Sequence, residues 1–410
     1  MPDPVVSFCI PTFNRARYLG CLLSSLSEQL HNFPHSYEII VSDNASPDET
    51  RAVLDSWAGK LPLRAHHQPT NLGGGANWQF VTSRARGTYV LYVADDDLVL
   101  APQVAEVVAA MEANPGVAVT YAPWLLHDLV ANRTEGTFYT QDGDALIHKG
   151  DHPALLDHLL RWSLFPEIAI YRRAALQSVM PRISNEAFYA FVHAAEFLGQ
   201  GDILFRKEAF YVSVTRYFAN EPQRDQTGME QARHAWDRYR GGLEHILGIA
   251  KARLGDMARA AMVMRIQHLV AERMAVAVRL RMHAGSDDIE NYFLASRVKA
   301  LGYERLLPAP MAALSVRAAL AFLAGDEELH RGITSLIYVG ELAPDFRAYI
   351  QSRAKVPVRF EQQVPALDSL RDCLVCGRQL PKIDESKRQR LLEVNVKLLS
   401  DGDVFAKFPA

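Results

Sequence analysis

Short apolar runs alternate with helix-spaced segments through the first 120 residues, and this rhythm constrains the fold more than any other feature. Val5–Ile10 is a β-rich run ended by Pro11, and Ala16–Leu30 places Leu19, Leu22, Leu23 and Leu26 at helical spacing. Tyr37–Ser42, Leu63–His67, Gly87–Ala94 and Val117–Tyr121 read as further strands. Glu49–Trp57, Trp78–Arg84 and Gln103–Glu112 read as the helices between them. Such alternation predicts βαβ units and a mainly parallel sheet, with ligands beyond the carboxyl ends of the strands. Three polar clusters fall at those ends: Thr12–Arg15, Asp43–Asp48 and Asp95–Asp97.

The chain has 410 residues, long enough to bury a full core without disulfides. Its 44 basic and 47 acidic residues leave a net charge of −3, which argues against a general grip on nucleic acid. Four cysteines, two of them in Cys373-Leu-Val-Cys376, fit reduced thiols and a cytoplasmic setting. The C-x-x-C pair is read as plain cysteines in a region without βαβ context; zinc would want four ligands. No signal peptide and no membrane-spanning segment are expected.

Three adjacent carboxylates after a buried strand repel one another, and the usual compensation is a cation. Hard divalent ions, Mn²⁺ or Mg²⁺, take one or two carboxylates plus substrate phosphates. Alternation along an extended segment would put Asp95 and Asp97 on one face and Asp96 on the other. A bare acidic triplet also fits an exposed turn, but its place straight after Tyr89–Val93 favours a site.

These residues resemble the family 2 glycosyltransferases, which have the GT-A fold. The resemblance rests on Ser7–Arg15, Leu26–Gln29, Glu38–Thr50, Asn71–Asn77 and Ala85–Asp97, five segments in order. It is clear over residues 5–125, fainter to 220 and absent beyond. It implies an inverting transfer of sugar from a nucleoside diphosphate sugar, UDP-type favoured, to a hydroxyl acceptor. It places Pro11, Thr12, Asn14 and Arg15 at the nucleotide, Asp43 at a uracil-like base, and Asn71, Gly74 and Asn77 close by. Asp95 and Asp96 would contact ribose and donor phosphate. Asp97, with Asp95, would hold the metal. The Arg often found before Asn77 is Ala76 here, so phosphate neutralisation would fall to the metal, Arg15 or Arg84. Asp43 could also start a side-chain turn, and Asn14 could cap the next helix.

Inversion needs a general base. The resemblance implies an acidic residue at a helix start in the acceptor half, and Glu186 is the first choice, with Glu196 and His193 on the same helix as alternatives. An acidic residue in a first helical turn also suits the helix dipole. Arg216, after the run Phe210–Val214, is a candidate for the donor diphosphate. Trp124, Trp162, Phe165 and Tyr171 could stack on sugars, although aromatic burial is their commoner use.

The expected organisation is an α/β GT-A domain over 1–222 (nucleotide half 1–125, acceptor half 126–222), then a mostly helical region over 223–410. Basic residues such as Arg259, Arg265, Arg273, Arg279 and Arg281 suit solvated helix faces, homo-oligomer formation, or peripheral contact with the inner face of a membrane carrying a lipid-linked saccharide acceptor. The expected role is bacterial surface polysaccharide or glycoconjugate assembly. The competing readings are a non-catalytic nucleotide-sugar scaffold and a sugar-phosphate nucleotidyltransferase. The latter would want a Gly-rich basic loop where Pro11–Arg15 stands.

Overall fold

The computed structural model describes residues 3–179, 187–221, 232–234, 236–285 and 287–410. The chain forms two compact units, one of residues 1–230 with 235–269, the other of 231–234 with 270–410. The expected boundary at Pro222–Gly228 lies outside the described residues.

The first unit begins β1 (Val6–Thr12), α1 (Ala16–Gln29), β2 (Tyr37–Asp43), α2 (Thr50–Trp57), β3 (Leu63–His67), α3 (Gly74–Ser83) and β4 (Tyr89–Tyr92). It continues with β5 (Leu98–Val99), α4 (Ala101–Ala113), β6 (Val117–Tyr121), β7 (Trp124–Asp128), β8 (Arg133–Thr137), β9 (Ala145–Ile147) and α5 (His152–Trp162). Then come β10 (Ala169–Arg172), α6 (Arg173–Val179), α7 (Tyr189–Gln200), β11 (Asp202–Phe205), β12 (Tyr211–Arg216), α8 (Trp236–Ala250) and α9 (Asp256–His283), whose last turns belong to the second unit.

An eight-stranded sheet runs in the order β3-β2-β1-β4-β10-β6-β11-β9. Its inner strands β1, β2, β4, β10 and β6 are mostly buried, because a sheet covered on both faces needs unbroken apolar runs. Phe8 and Ile10 of β1, Ile39 and Val41 of β2, and Leu91 of β4 are inaccessible to solvent, as are the four α1 leucines named above. The parallel expectation holds for β1 through β4, but β10 and β9 insert antiparallel. A second sheet, β5-β12-β7-β8, stands beside the first.

The chain order reverses at β1, which has β2 on one side and β4 on the other. Such a switch point opens a crevice at the carboxyl ends of the two diverging strands. At the opposite ends a buried network ties the strands together. Ser7 Oγ donates to Glu38 Oε1 at 2.6 Å, Arg86 N donates to the same oxygen at 2.7 Å, and Gly87 N donates to Ser7 Oγ at 2.8 Å. The Arg64 guanidinium pairs with the other Glu38 oxygen at 3.1 Å.

Two expectations about the second half change. Helix α8 packs within the first unit: Tyr239 meets Phe188 edge-on at 4.8 Å and Phe165 at 5.0 Å. In α9, Arg265 pairs with Asp157 of α5 at 2.7 Å. The division therefore falls at 269/270 rather than at 222.

The second unit contains α10 (Asp288–Ala300), α11 (Met311–Gly325), β13 (Ser335–Val339), α12 (Pro344–Arg353), β14 (Val358–Glu361), β15 (Cys373–Gly377), α13 (Glu385–Glu393), β16 (Val396–Ser400) and α14 (Asp401–Ala406). Helices dominate, as expected, but β14-β13-β15-β16 form a wholly parallel sheet. The expected helix over Glu385–Leu399 ends at Glu393, and Asn395 in left-handed backbone turns the chain into β16. The C-x-x-C pair lies inside β15, so it does have βαβ context, contrary to the sequence reading. Both thiols are buried, and burial holds both above the ordinary thiol range, which suits inert cysteines. No described helix is long and apolar enough to cross a membrane.

Gly87 has no room for a side chain: a Cβ there would lie 2.7 Å from Ser7 N. Gly87→Ala is expected to destabilise the fold by about 1–3 kcal/mol through overpacking, read by urea unfolding. An unchanged midpoint would contradict this account of the network.

Candidate functional site

The switch-point crevice is lined by the turn after β1, Phe13–Arg15, and the turn after β4, Asp95–Asp97. Strand β4 ends at Tyr92, and Asp97 N bonds back to Ala94 O at 3.2 Å, closing a turn. The expected strand-like alternation therefore does not apply, and each carboxylate takes its own direction.

Asp95 turns toward β1, where Thr12 Oγ1 donates to it at 2.6 Å. Asp96 forms an ion pair with Arg15. Asp97 reaches β12, accepting from Val214 N at 3.0 Å and from Tyr211 Oη at 3.1 Å. Tyr211 Oη also accepts from Ala94 N at 3.0 Å, so one buried phenol ties β12 to the turn. Tyr211 drew no notice in the sequence because its partner lies more than a hundred residues upstream.

Burial pushes Asp97 up to about 6, Asp95 adds to the rise, and the donors from Val214, Tyr211 and Ser213 oppose it. Burial also raises Asp95, against the Thr12 hydroxyl and the Arg15 charge. Arg15 pairs with Asp96 and its charge reaches Asp95, while Asp95 and Asp97 accept hydrogen bonds from the neutral groups of Thr12, Val214 and Tyr211. That donor set fits a hard divalent cation, with substrate oxygens completing the shell. Among the described residues no three His, Cys, Asp or Glu converge as a preformed cage, and a site completed by phosphates does not need one.

Asp43 ends β2 with both oxygens engaged. Oδ1 accepts from Ser46 N at 2.9 Å, and Oδ2 lies 3.0 Å from His67 Nδ1. The side-chain turn is thus present, and His67, read only as a strand end, is the partner the sequence missed. Strands β2 and β3 pair Asp43 with His67 in register. Asn14 has left-handed backbone and its N–H bonds Ser46 Oγ at 2.9 Å. It is not the cap of α1: that position is Arg15, and Asp48 Oδ2 accepts the Ala16 N–H at 2.9 Å. Pro11 lies within β1, level with Ser42.

Asn71 Oδ1 accepts from Asn44 Nδ2 at 2.9 Å and from Gly73 N at 2.8 Å. Gly73 sits at φ 84° and Gly74 opens α3, exposed. Asn77 is buried, and its amide is committed to Ser42 through bonds of 2.6 and 2.9 Å. Arg84 ends α3 over the Phe80 ring, whereas Arg15 stands in the crevice. Arg216 closes β12, and its charge is felt by Asp128.

Glu186 lies outside the described residues. His193 is buried in α7 and stacked on Trp78, with centroids 6.1 Å apart. Burial pushes it down to about 4, so it is neutral near neutral pH. Glu196 lies 4.0 Å from His245 of α8. Trp124, Phe165 and Tyr171 are core, and Trp162 is partly exposed.

A residue the sequence reading passed over is Glu167, in the segment leading into β10. Strand β10 pairs antiparallel with β4, Ile170 opposite Leu91. Continued three residues past the last strand pair, Ile170 with Leu91, that register sets Glu167 level with Ala94, beside the aspartate turn. Tyr189 Oη donates to Glu167 Oε2 at 3.3 Å. Only the antiparallel insertion of β10 brings this glutamate to the crevice, and strand–helix alternation gives no sign of it.

The raised pKa of Asp97 makes a stability prediction. A carboxyl shifted up favours the fold in its protonated form, and that contribution is lost as pH rises through about 6. Asp97→Asn is expected to raise the thermal midpoint of the ligand-free protein at about pH 8, with the gain vanishing by about pH 4, where both side chains are uncharged. A lower midpoint at the alkaline pH would contradict this electrostatic account.

Comparison with known proteins is consistent with this geometry. Residues 7–179 match the model for glycosyl transferase family 2. Abequosyltransferase RfbV of Salmonella typhimurium is 39% identical over 95 residues, 23% of this chain and 28% of that protein. The poly(ribitol-phosphate) beta-N-acetylglucosaminyltransferase TarS of Staphylococcus aureus is 35% identical over 95 residues, 23% of this chain and 16% of that protein. The chain thus spans about a quarter or less of the length of these relatives. Among solved structures, S. aureus TarS 1–349 in complex with UDP-GlcNAc aligns at TM-score 0.45 and 17% identity, over 73% of this chain and 89% of that one. Residues 7–179, which carry the crevice and the aspartate turn, are thus the part of the chain that is similar to glycosyl transferase family 2.

Proposed function

We propose that the chain is an inverting glycosyltransferase. It moves a sugar from a nucleoside diphosphate sugar, UDP-type favoured, to a hydroxyl of a saccharide or lipid-linked saccharide, in bacterial surface polysaccharide or glycoconjugate assembly. The observation that carries this reading is the Asp95–Asp97 turn at the β1/β4 switch point, where three carboxylates gather beside Arg15. The family match over 7–179 and the activities in the names of RfbV and TarS support it.

In this reading the diphosphate lies in the crevice and the base sits toward β2. Asp43 is held by Ser46 N and His67, and each of its oxygens keeps a second lone pair for a base N–H. Thr12, Asn14 and Pro11 shape the pocket wall after β1. The Asn71–Gly75 turn, fixed by Asn44, brings backbone close to the nucleotide, and Asn77 acts from beneath by fixing Ser42. Asp95 and Asp97 hold Mn²⁺ or Mg²⁺, and Arg15 adds positive charge beside the phosphates. A divalent cation there offsets the charge that develops on the departing diphosphate. Arg216 follows β12, which also holds Asp97, and is proposed to approach the diphosphate from that side.

The test is calorimetric titration of UDP, GDP, CDP and dTDP, with and without Mn²⁺, into wild type and Asp97→Ala. Metal-dependent binding of one nucleotide, weakened at least about tenfold in the variant, is expected from loss of a charged ligand group. Metal-dependent binding of none of the four would overturn the transferase reading. Binding without any donor turnover would favour a scaffold.

A further inference from the structure

We infer that Glu167 is the general base that takes the proton from the acceptor hydroxyl, an assignment that rests on the transferase reading above.

The first argument is position. Strands β1 and β4 end at the donor crevice, and β10 is the next strand on the far side of β4. Its antiparallel register with both β4 and β6 brings the residues just before Ala169 to the same sheet edge as Asp95–Asp97. Glu167 is the acidic residue of that segment, Ser163–Ile168. It therefore stands beside the donor carboxylates, one strand further along, where an acceptor would approach.

The second argument is how the carboxylate is held. Tyr189 Oη donates to one oxygen at 3.3 Å. The Tyr189 ring is 37% exposed, and Glu167 itself is only partly covered. An exposed aromatic face beside a carboxylate is a carbohydrate-binding arrangement: the ring packs on sugar C–H groups while a hydroxyl donates to the acid. The charge of Glu167 is also felt by Tyr139 and Tyr171, so the carboxylate sits among phenols. Burial pushes its carboxyl up to about 7, close to the pH at which a base works best.

The third argument is what the other groups are doing. Asp96 pairs with Arg15, and Asp97 is fixed by Val214 and Tyr211. His193 is covered by Trp78 and Tyr189, and its Nε2 is buried with no hydrogen-bond partner among the described residues. It could pass a proton only after moving.

The step balances without an added reagent. The acceptor oxygen forms a bond to the anomeric carbon as its proton passes to a Glu167 oxygen. The bond from the anomeric carbon to the phosphate oxygen breaks, and its electron pair leaves on the nucleoside diphosphate.

The experiment uses the full-length protein with Mn²⁺ and the fastest-hydrolysed of UDP-glucose, UDP-N-acetylglucosamine, GDP-mannose and dTDP-glucose. Water is the acceptor, and Glu167→Gln and Glu186→Gln are compared with wild type. Glu167→Gln is expected to slow donor hydrolysis by about 10²–10⁴-fold while the affinity for the nucleoside diphosphate stays within about twofold. Azide, a nucleophile with no proton to lose, should restore diphosphate release in that variant and give a glycosyl azide. The wild-type rate should rise with pH through about 7. Hydrolysis by Glu167→Gln near the wild-type rate would overturn the assignment. So would azide rescue confined to Glu186→Gln, or loss of nucleotide binding with no rescue. Failure of the wild type to bind any nucleoside diphosphate would instead overturn the transferase reading beneath it.

Discussion

Three carboxylates in one tight turn at the end of a buried strand are the constraint on which the site depends. Burial and mutual repulsion both disfavour their ionised forms, so the fold has to hold them in place. It does so from three directions: Thr12 from β1, Arg15 from the start of α1, and Tyr211 with Val214 from β12. Two separate stretches of chain, Thr12–Arg15 and Tyr211–Val214, therefore converge on the turn, and the second sheet is tied to the first through Asp97. Under the proposed function, a metal–diphosphate ligand would bring further positive charge to this turn. In this view substrate binding relieves a tension that folding alone leaves in place.

Much of this was legible in the sequence because it is local. A strand followed by a polar cluster puts that cluster at a carboxyl end, and β1, β2 and β4 obeyed the rule. Thr12, Asp43 and Asp95 were singled out because each lies in a polar cluster at the end of a β-rich run. The partners were not found. His67 meets Asp43 only through the β2/β3 register, Tyr211 meets Asp97 across 114 positions, and Glu167 reaches the crevice only through the antiparallel β10. Each depends on strand pairing between distant segments, which hydrophobic periodicity does not encode.

The same limit explains the second unit. Alanine- and leucine-rich segments announced α10 and α11. The short strands β13 to β16 carry four or five residues each and sit between polar loops, so their periodicity was too brief to read. Cys373 and Cys376 were read as plain cysteines, and in β15 they serve as small apolar side chains in the middle of a parallel sheet. Asp288 shows what polar burial does there. It is 2% exposed and joins α10 to Arg317 of α11, Arg353 of α12 and Tyr349, a charge held by two guanidiniums and a phenol. That is how a buried carboxylate looks when the protein itself supplies the counter-charge.

The most direct measurement is a crystal structure of the protein grown with UDP and Mn²⁺, with anomalous scattering recorded at the manganese edge. The account predicts one anomalous peak between the Asp97 carboxylate and the diphosphate, at the carboxyl ends of β1 and β4, with the uracil beside Asp43. Manganese and nucleotide bound away from Asp95–Asp97, or seated on the parallel sheet of the second unit, would contradict it.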